Sequence, residues 1–171
     1  MEEVEIPRFK AIGIVHRKES DDEVRKGLSD PSESEIEIFP EYEDALDGLE
    51  GFSHIFVLVY FHKLRPEQVG PLKVRPKRLV KFGLKLEEIP FVGDFTLDSP
   101  TRPNPIGLSL VKLLRINEGR RLIVSELEFF DGTPVLDIKP YQSGYRVDEY
   151  KLPEWNTKLA FKAGLSPSDS I

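Results

Sequence analysis

From Ser34 to Phe39 apolar and polar residues alternate, with Ile36 and Ile38 on one side and Glu35 and Glu37 on the other, the period of a strand with one buried face. His54 to His62 is apolar on both faces and rich in β-branched residues, which predicts a central strand. Further strands are expected at Phe9 to His16, Phe91 to Leu97, Ile106 to Ile116, Arg121 to Phe130 and Val135 to Lys139, making seven. Asn117-Glu118-Gly119 and Asp131-Gly132-Thr133-Pro134 supply tight turns between the last three. Pro40 to Leu46 opens with Pro and acids and is followed by Gly48, which suits a short helix; a second helix is expected around Thr157 to Ala163. Many short strands with close turns predict an all-β fold, an antiparallel barrel or sandwich with a few short helices.

Composition narrows the class. At 171 residues the chain is one domain's worth, able to bury roughly 70% of its unfolded surface without staples. It has no Cys, which excludes disulfide scaffolds, thiolate zinc sites and cysteine nucleophiles. The longest apolar run, Ile55 to Phe61, is far short of the ~20 residues that span a bilayer. Nor does Met1 to Val15 resemble an export leader, so a soluble protein of a reducing, cytoplasmic compartment is expected. Two Gln, three Asn and one Met are a depletion seen in heat-adapted proteins. No GxGxxG or Walker loop is present.

The net charge of -6 hides a segregation. Met1 to Tyr60 holds 16 acidic and 6 basic residues, whereas Phe61 to Arg121 holds 6 acidic and 13 basic. The densest cationic stretch, Lys73, Arg75, Lys77, Arg78, Lys81 and Lys85, contains no acid and would suit a nucleic-acid backbone; a solvated loop is the plainer alternative.

The densest unusual chemistry is Ser99-Pro100-Thr101-Arg102-Pro103-Asn104-Pro105-Ile106-Gly107-Leu108-Ser109. Three prolines hold Ser99, Arg102 and Asn104 extended and give up their amide hydrogens. The stiff loop leaves carbonyls and the Arg102 and Asn104 side chains available to a polar ligand, while Gly107 allows a backbone or ring to approach closely. A rigid lead-in to the next strand is the structural alternative.

Gly51-Phe52-Ser53-His54-Ile55-Phe56-Val57-Leu58, then Phe61-His62, then Arg102 to Ser109, then Asp131-Gly132-Thr133-Pro134-Val135-Leu136-Asp137-Ile138-Lys139-Pro140-Tyr141 resemble, in order and spacing, the TrmO (TsaA-like) tRNA methyltransferases. The resemblance covers about Phe9 to Tyr141, leaving 142–171 as a C-terminal extension of one domain over 1–171. It implies a small antiparallel β-barrel, acting as a homodimer, that uses S-adenosylmethionine to methylate N6 of N6-threonylcarbamoyladenosine beside the tRNA anticodon. A non-catalytic S-adenosylmethionine- or RNA-binding module of the same fold is the alternative.

Carried over by motif, the cofactor residues are His62, Lys63, Asp98, Arg102, Asn104, Leu108, Ser125, Glu126, Leu127 and Glu128. Lys73, Arg75, Lys77, Arg78 and Lys81 would meet the RNA. The acceptor nitrogen is delocalised and weakly nucleophilic, so a base would help, and Asp131 and Asp137 are the candidates. His54 is expected to be a structural hydrogen bonder, and turn chemistry is the competing role for Asp131. In two places the chain departs from the family. Leu97-Asp98-Ser99-Pro100 stands where a Thr-Arg-Ser-Pro-like run is usual, and the acidic run Glu19 to Pro31 replaces a Pro-Arg-Gln-like segment.

Overall fold

The computed structural model describes residues 8–26, 33–125 and 127–166. The chain divides into two units, Met1–Lys63 with Ile106–Ser143, and Leu64–Pro105 with Gly144–Ile171.

The first unit is a closed antiparallel barrel of six strands in the order β1-β2-β7-β6-β3-β8. These are β1 (Gly13–His16), β2 (Ser34–Ile38), β3 (His54–Tyr60), β6 (Ile106–Asn117), β7 (Arg121–Ser125) and β8 (Pro134–Pro140). Closure removes the unpaired edges that an open sheet would expose. The alternation in β2 places Ile36 and Ile38 in the core beside Val15, Ile55, Val57, Val59, Val111, Leu122, Val124, Leu127 and Val135. Each such side chain contributes about 1.5–3 kcal/mol of burial. In β3 only the odd positions are fully buried, so it is two-faced where the sequence suggested burial on both faces. A bulge between Leu113 and Arg115 in β6 sends both Leu114 and Arg115 outward, and Arg115 forks onto Glu33 at 2.8 and 2.9 Å.

The all-β class holds, with a corrected strand count. Among the described residues there are eight strands, of which six close the barrel and β4 (Lys73–Val74) and β5 (Val92–Gly93) pair in the second unit. The expected strand at Phe91 to Leu97 shrinks to β5. There the Thr96 hydroxyl donates to the Gly93 carbonyl and the Leu97 N–H to Asp94, turning the backbone into a 3-10 helix over Asp94–Thr96. The strand from Arg121 stops at Ser125, and the one expected from Phe9 begins at Gly13. Pro40–Leu46 is 3-10, and the later helix, α2, runs Glu154–Lys162. Short helix α1 (Asp21–Lys26) was not foreseen.

The second unit has its own small core, in which Leu79, Leu84, Ile89 and Leu159 pack with Trp155, Ala163 and Leu165. Among the described residues no helix is long and apolar enough to cross a membrane.

Candidate functional site

At one end of the barrel the C-terminal ends of β1 and β3 meet the connection from β7 to β8. Gly13 and Val15 of β1 face inward, and Arg17 continues that parity past the strand's end. Its side chain is only 1% exposed. Nη1 donates to the Leu127 carbonyl and Nε to the Glu19 carboxylate at 3.2 Å, while Nη2 is buried without a hydrogen-bond partner.

The backbone N–H of Arg17 donates to Asp131 at 2.9 Å. Asp131 sits in the turn closed by the Thr133 N–H on the Phe130 carbonyl, and Gly132 takes a φ of 77°, which glycine adopts without penalty. The Gly132 N–H in turn reaches the Val15 carbonyl at 2.9 Å. A Cβ on Gly132 would stand 3.8 Å from Nε2 of His62, so the imidazole lies over this turn.

Burial holds His62 below its ordinary value, and the neighbouring Lys63 charge adds to the effect, while Asp21 and Asp131 oppose it. Lys63 grips both carboxylate oxygens of Asp21 at 2.7 and 2.8 Å and lies 5.4 Å from the centroid of the Phe130 ring. The barrel end therefore holds two basic side chains, an imidazole of lowered basicity and three carboxylates. Such a set can hold an anionic or zwitterionic ligand and move a proton.

Of the residues singled out from sequence, His62, Lys63, Leu127 and Asp131 come together here. Ser125 ends β7 with its hydroxyl buried and unpartnered, two positions before Leu127. Glu126 lies outside the described residues, and Glu128 is exposed. Leu108 and Asp137 are elsewhere, on the outer face: each pairs with outward-facing Leu58, and Asp137 is bound to Lys139 at 2.8 Å. Gly107 does permit a close approach, by Phe61: a Cβ there would be 2.6 Å from that ring. His54 accepts the structural role expected of it, with Ser53 at 3.0 Å and an edge contact to Tyr141.

The proline-loop residues belong to the second unit. Arg102 donates to the Leu97 carbonyl and lies 5.9 Å from the Phe95 ring centroid. Asp98 and Asn104 are exposed. In the cationic stretch Arg75 is committed internally, donating to the Leu86 carbonyl at 2.8 Å and stacking 4.4 Å from the Phe91 ring centroid. Lys73, Lys77, Arg78 and Lys81 are exposed.

Sequence reasoning missed Arg17, Glu19 and Asp21 as members of the cluster. The available signal was parity, because an arginine two positions after Val15 occupies the buried face of its strand.

Residues 16–147 match the family model described as the tRNA-methyltransferase O N-terminal domain. The chain belongs to that family. A "Probable S-adenosyl-L-methionine-binding protein" of Methanothermobacter thermautotrophicus is 44% identical over 143 residues, 82% of this chain and 93% of that protein. The tRNA (adenine(37)-N6)-methyltransferase of Mus musculus is 45% identical over 108 residues, 63% of this chain and 23% of the mouse protein. The crystal structure of TrmO from Pseudomonas aeruginosa matches with a TM-score of 0.64 at 28% identity, covering 87% of this chain and 62% of that one. This member of the tRNA-methyltransferase O N-terminal domain family thus spans most of its archaeal relative and less than two thirds of the Pseudomonas protein.

Proposed function

We propose that the chain is an S-adenosylmethionine-dependent methyltransferase acting on N6 of adenosine in tRNA, and that its acceptor is N6-threonylcarbamoyladenosine beside the anticodon. A tRNA substrate puts the activity in the cytoplasm, and residues 1–171 would act as one TsaA-like domain. The observation that carries this reading is the family match over residues 16–147, which contains the whole barrel-end cluster from Arg17 to Asp131.

The barrel-end residues fit S-adenosylmethionine. Unsatisfied or half-used donors at Ser125 and Arg17 suit its amino-acid end, and the Phe130 ring offers apolar surface. When bound, the cofactor supplies a methyl group already activated on a sulfonium, so alignment is the chief task, worth about 7–11 kcal/mol. Lys63 and Arg17 hold charge in place, fixed by Asp21 and the Leu127 carbonyl. Asp131, with one oxygen taken by the Arg17 N–H, retains the other to accept the proton leaving N6. His62, kept neutral by its surroundings, is the second acceptor within the cluster.

The outer face of β3 and β6 supports the expected homodimer. Tyr60, Ile106, Leu108, Leu110 and Leu114 are all exposed large apolar residues, and Tyr60 pairs with Ile106 in register. Exposed apolar surface of this extent marks a contact site, and a second copy presenting the same face would cover it isologously. A Leu108→Asp, Leu110→Lys double variant should then run as a monomer in light scattering.

Asp98, in place of the family's usual arginine, favours a second reading in which the chain binds the cofactor without turnover. Transfer of labelled methyl from S-adenosylmethionine to tRNA, followed by nucleoside mass spectrometry, decides between them. The enzyme reading requires a methyl on N6 of the threonylcarbamoyl nucleoside; cofactor binding with no transfer to any tRNA supports the non-catalytic one.

A further inference from the structure

A guanidinium offers a carboxylate two forks, the end edge formed by Nη1 and Nη2 and the side edge formed by Nε and Nη2, each through two parallel hydrogen bonds. In Arg17 the end donor Nη1 is spent on the Leu127 carbonyl. The side edge is half used: Nε donates to Glu19 at 3.2 Å and Nη2 has no partner, although the side chain is 1% exposed. A buried cationic donor without an acceptor is costly, because folding has removed its water and returned nothing. Glu19, with 22% of its side chain exposed, has water as an alternative partner. Arg17, in contrast, is tied to the barrel at both ends: its guanidinium donates to the Leu127 carbonyl and its backbone N–H to Asp131.

We infer that the side edge of Arg17 is the receptor for a ligand α-carboxylate, and that Glu19 half-fills this edge until the ligand carboxylate displaces it. The inference rests on the function proposed above, which supplies two carriers of that group: the amino-acid end of S-adenosylmethionine, and the threonyl carboxylate of the acceptor nucleoside. No bond is made or broken. One carboxylate exchanges for another at a fixed guanidinium.

The test uses the full chain and calorimetry with S-adenosylhomocysteine, and with 5′-methylthioadenosine, which lacks the amino-acid end. If the cofactor is the carrier, Arg17→Gln weakens S-adenosylhomocysteine about tenfold or more and leaves methylthioadenosine unchanged, and Arg17→Lys restores only part of the loss. If the acceptor is the carrier, Arg17→Gln spares S-adenosylhomocysteine and weakens threonylcarbamoylated tRNA but not the tRNA lacking that group. Glu19→Gln, at a partly exposed position, keeps Arg17 in place and should tighten the carboxylate ligand severalfold. It decides the matter if Arg17→Gln does not fold. Wild-type binding that neither substitution alters overturns the receptor alone. Wild-type failure to bind S-adenosylhomocysteine or modified tRNA overturns the proposed function and the receptor with it.

Discussion

Arg17 and Asp131, 114 positions apart, are joined by a 2.9 Å hydrogen bond from the Arg17 backbone N–H to the Asp131 carboxylate. One carboxylate oxygen therefore fastens the end of β1 to the turn before β8 and the other is left for chemistry. The two roles separate by substitution. Asp131→Asn keeps a carbonyl acceptor for the N–H and should unfold within about 0.5 kcal/mol of wild type, whereas Asp131→Ala loses about 1 kcal/mol. Methyl transfer should fall about a hundredfold or more in both, because neither accepts a proton. An active Asp131→Asn enzyme would move the base to His62.

His62 gives a pH signature of determined sign. Its folded-state value lies below the ordinary 6.5, so on acidification the unfolded chain takes up the proton first. Its contribution to stability is thus intact above about 6.5 and is lost as pH falls from there through the folded value. Urea unfolding at pH 7.5 and at lower pH should show this loss in wild type and a smaller one in His62→Gln. An NMR titration midpoint of His62 above 6.5 would contradict it.

Arg102 is expected to matter twice. Its guanidinium binds the Leu97 carbonyl and stacks beside Phe95, so Arg102→Ala should lower stability by about 1 kcal/mol. If the proline loop also serves the cofactor, affinity or turnover should drop at least about tenfold as well, and calorimetry on the folded variant reads that second effect. A variant that loses stability and keeps full affinity makes the loop a stiff connector.

The cationic stretch divides by role. Arg75 is engaged with Leu86 and Phe91, so Arg75→Ala should shift the melting curve. Lys73, Lys77 and Arg78 are exposed, and replacing all three by Ala should weaken tRNA binding across sequences and flatten its salt dependence by about 3 in slope at most, with cofactor affinity unchanged. An unaltered slope would reduce the stretch to solvated surface.

Ser34–Ile38 shows why part of the fold was legible: strict alternation forces one face inward, and Ile36 and Ile38 are in the core. The Asp131-Gly132 turn was legible for the same local reason, a glycine at positive φ. The two-residue ladder β4–β5 offers no period to detect, and the charge shift from Phe61 and the prolines before Ile106, which fall where the barrel unit is interrupted, read equally well as an ordinary loop. For the site, motif spacing located His62 and Asp131, which sit on strand ends and turns. Asp137, the other expected base, faces outward because the bulge between Leu58 and Val59 sets which side of β8 faces out, and a bulge is a tertiary event. Arg17 belongs to no motif, and only the parity of β1, continued past its end, puts it inside.

The barrel closes on a thin seam. β1 and β8 share two ladder positions, Gly13 with Val135 and Ile14 with Pro134, and Pro134 has no amide hydrogen to give; β3 and β6 share seven. Local opening should therefore begin where β1 parts from β8, and the amides of Ile12, Val15 and Gly132, which bond across that seam, should exchange with solvent deuterium sooner than those between β3 and β6. The barrel-end cluster sits across this joint, with Arg17 on one side and Asp131 on the other. A ligand held there would act as a fastener, and its arrival would be recorded as slowed exchange in a part of the sheet that it does not itself touch.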